Sequence, residues 1–315
     1  MRIALLCATQ RGHRFLETLA ALAPDADLSV FSFREDPTEP PFLNAIRQTT
    51  LDHGGQFYEA KQVGADRWRE FWETTPVDLL FAVSWRYMIP AAVYGRARLG
   101  AFVFHDSLLP AYRGFSPTVW AMLNGEDHTG VTLFHMADEV DSGDIVAQAR
   151  VDIGPDETIA DVLERVTLAY LDVLQTNLPA LMNGSAPRIP QDHSQATFTC
   201  KRTLEDNEID WSAPTGRIYD LIRAVTAPYP GATTLLDGQP LHIWAAARLP
   251  DFKRYVGRIP GRVVEVWPGR GSVVLTGDGA LLITEASLGE GPHQRGDELL
   301  NRLSQTLGHR NQDQA

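Results

Sequence analysis

Apolar residues fill the chain's first segment without interruption, from Ile3 to Ala8, and then give way to the polar turn Thr9-Gln10-Arg11-Gly12. Phe15, Leu16, Leu19 and Leu22 follow at helical spacing, so the pattern predicts a strand, a loop and a helix. Further continuous apolar runs occur at Leu28–Phe33, Leu79–Ser84 and Ala101–Phe104, with a helix-like segment over 62–74 among them. Continuous runs, unlike alternating ones, belong to strands covered on both faces, and their alternation with helices predicts a mostly parallel sheet. Two more strands are predicted at Val131–His135 and Ile145–Val151. A long helix then begins near Thr158, where Asp156 and Glu157 suit the positive helix end, and carries Ile159, Val162, Leu163, Val166, Tyr170, Val173 and Leu174 on one face.

The pattern changes beyond residue 190. A polar stretch over 191–212 reads as a linker, a helix follows around 218–225, and then come short strands at 233–236, 242–245, 261–266, 272–276 and 281–285. Asp-Gly pairs at 237–238 and 278–279 mark hairpin turns, so this half is predicted as a small antiparallel barrel. The domain reading is a catalytic domain over 1–190, a linker over 191–212, a barrel over 213–308 and a fraying tail over 309–315.

Composition narrows the class. With 44% hydrophobic and 22% charged residues the chain has the profile of a folded globular protein. No stretch reaches the roughly 20 apolar residues of a membrane span, and the first apolar run lacks a cleavage site, so a cytoplasmic protein is expected. Two cysteines, Cys7 in a strand and Cys200 in a polar stretch, make no disulfide framework, and Cys7 reads as a core residue. The net charge of −12 opposes nucleic-acid binding, the one basic concentration being Arg248, Lys253, Arg254, Arg258, Arg262 and Arg270. The first loop lacks the G-x-G-x-x-G fingerprint and no phosphate-loop motif occurs, which argues against NAD and ATP as primary cofactors. The histidines are dispersed, and His128 and His135 lack a third partner, so no metal is expected.

Candidate chemistry concentrates between Phe102 and Asp144. A strand ending at His105 runs into Ser107-Leu108-Leu109-Pro110 and Tyr112-Arg113-Gly114, and a second loop holds Asp138 to Asp144. Ligands of open parallel sheets bind beyond the carboxyl ends of the strands, which is where these loops fall, and the strand spacing allows His105 and Asp141 to converge.

His-x-Ser-Leu-Leu-Pro-x-x-Arg-Gly at 105–114, Gly130-Val131-Thr132 and Asp141-Ser142-Gly143-Asp144 together resemble the folate-dependent formyltransferases. The resemblance continues through Ile222-Arg223-Ala224-Val225, Pro228-Tyr229-Pro230-Gly231-Ala232 and Leu303 to Gly308, covering nearly the whole chain. Trp85 to Ile89 and Val146-Ala147-Gln148 look most similar to the formyltransferases of nucleotide-linked amino sugars such as UDP-4-amino-4-deoxyarabinose. It implies an α/β fold with a Rossmann-like, mostly parallel catalytic sheet followed by a small OB-like β-barrel. The implied reaction is transfer of a formyl group from the co-substrate 10-formyltetrahydrofolate to a primary amine on a nucleotide-linked sugar.

By position, the resemblance assigns catalysis to His105 and Asp141, the folate ring to Arg86, Met88, Asp138 and Val140, and the acceptor side to Ser107, Tyr112, Arg113 and Arg202. One position departs. Where the family has an Asn two residues before the His, this chain has Val103, which offers no hydrogen bond to an oxyanion. Residues 103 and 105 share a strand face about 7 Å apart, while Asp106 belongs to the other face. Loss of one oxyanion donor costs about 100- to 1,000-fold in rate. Val103 therefore keeps open a non-catalytic or altered-chemistry folate or nucleotide binder beside the transferase reading. Methionyl-tRNA formylation is opposed by the acidic charge, and formyltetrahydrofolate hydrolysis by the lack of a regulatory segment ahead of the fold. A homodimer through the barrel is compatible with the pattern.

Overall fold

The computed structural model describes residues 1–36 and 39–308, so the predicted tail lies outside the described residues. Contacts divide the chain into two compact units, the first comprising Met1–Pro117, His128–Asp152 and Leu163–Cys200. Its sheet joins β1 (Arg2–Cys7), β2 (Asp27–Ser32), β3 (Gln56–Glu59), β4 (Val77–Val83) and β5 (Ala97–His105) to β7 (His128–His135) and β8 (Ile145–Asp152), with the two-residue β6 (Arg113–Gly114) outside it. The order is β3-β2-β1-β4-β5-β7-β8, parallel through β5 and antiparallel for the last two. The chain steps from β1 outward to β3 and then returns to β4 on the other side of β1, which opens a crevice beyond the carboxyl ends.

The central strands are buried on both faces, as their unbroken apolar runs require. One face is covered by α1 (Thr9–Leu22), whose Phe15 meets Phe81 and Phe104 at 5.9 and 5.0 Å. Opposite lies an aromatic cluster in which Phe31 stacks on Tyr58 and Trp72. The segment expected to be helical over 62–74 is helical only from Asp66, a 3-10 turn running into a helix over Arg69–Thr74. The residues before it are held as loop, with the Val63 carbonyl accepting from Trp72 Nε1 at 2.7 Å.

The second unit comprises Thr118–Asp127, Ile153–Val162 and the chain from Lys201 on. Its antiparallel sheet follows the order β10-β11-β14-β13-β12, with β10 at Ala232–Leu236, β11 at Gln239–Arg248, β12 at Val263–Trp267, β13 at Gly271–Leu275 and β14 at Ala280–Leu288. Asp237 and Gly238 both have positive φ, as the tight two-residue hairpin between β10 and β11 demands. The ends of this path are joined by residues 305–308: Val263 N donates to Gln305 O, Leu307 N to Gly261 O and Gly308 N to Leu235 O. These bonds give both sheet edges a partner, which is how a small barrel disposes of its open edges.

The stretch read as a linker, 191–212, is apportioned between the units at Cys200 and Lys201. It is ordered because its polar groups have partners: β9 (Phe198–Thr199) pairs with β6, and Thr203 and Asp206 cap the 3-10 turn at Leu204–Asn207.

Candidate active site

His105 is the last residue of β5, and the chain beyond it makes a tight return pinned at every turn. Thr132 on β7 donates to Ser107 O at 2.6 Å and accepts from Leu109 N at 3.0 Å, while Gln148 on β8 donates to Leu109 O at 2.8 Å. Ser107 Oγ donates to Ala111 O at 2.7 Å, and Tyr112 N and Arg113 N donate to the side chain and carbonyl of Thr197. His105 is buried, with Nε2 lying 2.8 Å from Tyr112 O. A carbonyl can only accept, so Nε2 is the ring's donor and carries a proton. Nδ1 is left facing Asp141.

Asp141 arrives from the loop after β7. Its Oδ2 lies 3.6 Å from His105 Nδ1 and accepts the Gly114 N–H at 2.8 Å. Asp141 has a φ of 51°, a left-handed conformation that Asp tolerates better than most residues. Two residues later, a Cβ on Gly143 would stand 1.7 Å from the His135 carbonyl oxygen, so only glycine lets the loop hug the end of β7. The Asp-Ser-Gly-Asp sequence thus fixes where the carboxylate goes. His105 and Asp141 are both largely buried, 10% and 14% exposed by side chain, in a medium that strengthens their interaction.

Val103, on the strand face it shares with His105, packs against Leu109, Phe134 and Ile145 and supplies no donor. Asp106 faces away from this site. Its carboxylate takes both oxygens to Arg11 at 2.6 and 2.7 Å and accepts the Tyr170 hydroxyl, and its carbonyl accepts from Thr129. Arg11 lies over the Tyr170 ring at 4.7 Å and also donates to Thr167. Burial pushes the Asp106 carboxyl up, but the Arg11 guanidinium and the Tyr170 hydroxyl outweigh it and hold the group below the ordinary carboxylate range. Burial likewise pushes the Cys7 thiol far above its usual value, as befits a core residue.

Other positions singled out in the sequence separate into groups. Met88 and Val140 are 67% and 47% exposed, open to a ligand, and Tyr94 donates to Asp138 in the same loop. Arg86 holds Glu39 through both terminal nitrogens and lies 5.8 Å from the Phe33 ring. Tyr112 is half-buried with a φ of 59°. Ser107 and Arg113, expected on the acceptor side, are instead buried, Arg113 only 3% exposed. Arg113 Nη2 contacts Gln191 Oε1 at 2.6 Å and His193 Nδ1 at 3.0 Å, so as placed it braces the loop and does not present a free guanidinium to a phosphate. Arg202 belongs to the second unit, where it donates to Asp206 O and Asn207 Oδ1 and lies 5.2 Å from the Trp120 ring.

Several contributors escaped sequence reasoning. Gln191 donates to the carbonyls of Asp141 and Gly143 at 2.9 and 2.7 Å while accepting from Arg113, tying the Asp141 loop to residues whose polar composition suggested a linker. Thr197 and Thr199 secure 112–115 from the same stretch. Four of the six residues in the basic concentration of the second half are engaged internally: Arg248 with Asp156, Lys253 with Glu265, Arg258 with the carbonyls of Thr276 and Gly279, and Arg262 with Thr306. Among the described residues no group of three or more His, Cys, Asp or Glu side chains is arranged to hold a metal, and no helix is long and apolar enough to cross a membrane.

Comparison with known proteins places these features in context. Residues 5–176 match the formyl transferase family, and residues 201–304 match the formyl transferase C-terminal domain. The N-formyltransferase from Helicobacter canadensis, solved with folinic acid and dTDP-3-aminofucose, is similar at a TM-score of 0.67 and 16% identity over 89% of this chain and 97% of that one. WlaRD, a sugar 3N-formyl transferase solved with dTDP and 5-N-formyl-THF, gives 0.66 and 16% over 93% and 99%. HypX from Aquifex aeolicus, solved with tetrahydrofolic acid, gives 0.62 and 20% over 95% of this chain and 47% of HypX, so the chain spans about half the length of that protein. The match over residues 5–176, with the strand-end histidine and the Asp-Ser-Gly-Asp loop inside it, establishes that the chain belongs to the formyl transferase family.

Proposed function

We propose that this protein is an N-formyltransferase that moves a formyl group from 10-formyltetrahydrofolate to the primary amine of a nucleotide-linked amino sugar. The observation that carries the reading is the buried His105 and Asp141 pair, with Nδ1 and Oδ2 3.6 Å apart at the carboxyl end of the parallel sheet. The amine nitrogen attacks the formyl carbon, forming the new C–N bond and moving the carbonyl electron pair onto oxygen. The intermediate then collapses, the bond to folate N10 breaks, and N10 leaves with a proton. Because Nε2 is committed as a donor to Tyr112 O, the proton lost by the amine is received on the Nδ1 and Asp141 side. The Gly114 N–H steadies Oδ2 in that task, and general acid–base help of this kind contributes about 100- to 10,000-fold.

On this reading Met88 and Val140 lie beside the folate ring, with Arg86 and Asp138 shaping the two loops that hold it. Tyr112 borders the amine. The acceptor assignment is supported by the likeness to sugar N-formyltransferases, and the pairing of Arg248 and Lys253 with carboxylates, in a chain of net charge −12, speaks against a tRNA.

A second reading rests on Val103, whose apolar packing supplies nothing to an oxyanion: a folate-binding homologue with altered chemistry. The substitution Val103→Asn separates the two. In a transferase limited by that missing donor the variant gains up to about 100-fold in kcat. In a binder it gains no turnover, which would favour the second reading.

A further inference from the structure

The loop that delivers Asp141 is exposed along 138–140, yet its carboxylate ends in a defined place against Gly114 N. Asp141 has a φ of 51°, and a left-handed conformation in a residue other than glycine persists only where the surroundings over-determine it. One constraint comes from a residue 50 positions further along the chain. Gln191 is buried, and its amide nitrogen is committed to this loop, Nε2 donating to Asp141 O at 2.9 Å and to Gly143 O at 2.7 Å. Its Oε1 accepts from Arg113 Nη2 at 2.6 Å. A flipped amide would set its oxygen against two carbonyls and its N–H groups against a guanidinium, so the network fixes its orientation.

The segment carrying Gln191 is itself firmly placed. Ile189 and Ile145 exchange both backbone hydrogen bonds, at 2.8 and 3.0 Å, and His135 Nε2 donates to Pro187 O at 2.9 Å. The amide therefore reaches the loop from a segment fastened to β7 and β8. Together the contacts close a circuit around Asp141. Its Oδ2 accepts from Gly114 N, Gly114 is bonded to Arg113, Arg113 donates to Gln191, and Gln191 donates to the Asp141 carbonyl. The direction of that carbonyl is set by the ψ of Asp141. Gln191 thus holds the backbone of the residue while the Gly114 N–H holds the end of its side chain.

We propose that Gln191 is a positioning residue for formyl transfer, holding the Asp141 backbone so that Oδ2 stays beside His105 Nδ1. The proposal rests on the transferase reading and adds to it the element that keeps the His105 and Asp141 pair in register. Misplacing a group by about 1 Å costs about 100-fold in rate. A residue that acts only through Asp141 can cost no more than the loss of that carboxylate.

The test uses Gln191→Glu in the full chain. A glutamate keeps an oxygen for Arg113 but turns a second oxygen, in place of N–H groups, toward the carbonyls of Asp141 and Gly143, which separates the brace on Arg113 from the grip on the loop. The expected result is a kcat about 10- to 100-fold lower, with KM for both substrates within about twofold of native. Placed in Asp141→Asn, the same substitution is expected to change kcat by less than about twofold, because effects that run through one group do not add. A native kcat in Gln191→Glu would overturn the proposal. So would equal losses in the two backgrounds, since a residue that only stabilises the fold lowers activity alike in both. Should Gln191→Glu not fold, Gln191→Met, of similar length, carries the same comparison. If the native protein transfers no formyl group, the transferase reading fails separately, and crystal structures of the native protein and the variant decide. A displaced Asp141 loop in the variant is then expected, whereas an Asp141 that keeps its left-handed φ and its bond to Gly114 N overturns the positioning role.

Discussion

His105 and Asp106 are neighbours in the chain at the end of β5, yet they belong to two regions built on opposite terms. On the Asp106 side every charge is answered: two short bonds to Arg11, the Tyr170 hydroxyl, and a ring stacked under the guanidinium. On the His105 side the pairing with Asp141 is left at 3.6 Å, longer than a hydrogen bond, and the adjacent strand position is the apolar Val103. A locked polar cluster resists change, whereas a loose pair leaves both groups open to a further hydrogen-bond partner. The alternation of a strand, which sends adjacent side chains to opposite faces, lets one backbone segment serve both purposes.

Perturbing each region should therefore give different signatures. If the proposed mechanism holds, the largest effect is expected from Asp141→Asn, which keeps the shape of the loop but removes the carboxylate to which that mechanism assigns the proton. Formyl transfer should fall about 100- to 10,000-fold in kcat, with the thermal midpoint little changed. An unaltered kcat would mean that the proton leaves by another route.

Next comes Asp106→Ala, which strands the Arg11 charge in a site where the two side chains are only 12% and 17% exposed. Removing one member of a buried pair costs about 3–5 kcal/mol, to be read by denaturant unfolding. The expected pH dependence has a definite sign. A carboxyl held below its ordinary value adds stability that is present above about pH 4 and is lost as pH falls through its lowered folded value. Asp106→Asn should therefore flatten the loss of stability below pH 4, and an unchanged acid-unfolding curve would contradict the assignment.

Smaller still is Tyr170→Phe. It deletes one hydrogen bond to a charged acceptor while the ring still stacks on Phe104, and about 1.5–3 kcal/mol of stability is expected to go with it. Activity per folded molecule should persist, because the His105 face is untouched. A collapse of kcat in a stably folded Tyr170→Phe would show that the two faces are not separable.

These two regions differ in how far the sequence exposes them. The His105 side was legible because its parts lie in short motifs whose spacing is set locally: a strand end, a glycine that clears a carbonyl, a loop that carries one carboxylate. The parallel strands were legible for a related reason, since burial on both faces leaves unbroken apolar runs. The Asp106 cluster was not, because Arg11, Asp106 and Tyr170 are brought together only by the packing of α1 and a long helix over Ile159–Met182 against the sheet. Gln191 was hidden by its setting, a polar stretch whose groups look solvated until their partners on Arg113, Asp141 and Gly143 are known. Arg113 reads in sequence like an exposed anion ligand and is in fact a buried brace.

Turnover of 10-formyltetrahydrofolate tests the central claim most directly, measured with a panel of nucleotide-linked amino sugars, a control without acceptor, and the His105→Ala variant. The account predicts formylation of one acceptor class and its loss in His105→Ala. Folate binding without turnover in the native protein, or equal turnover in the variant, would contradict it.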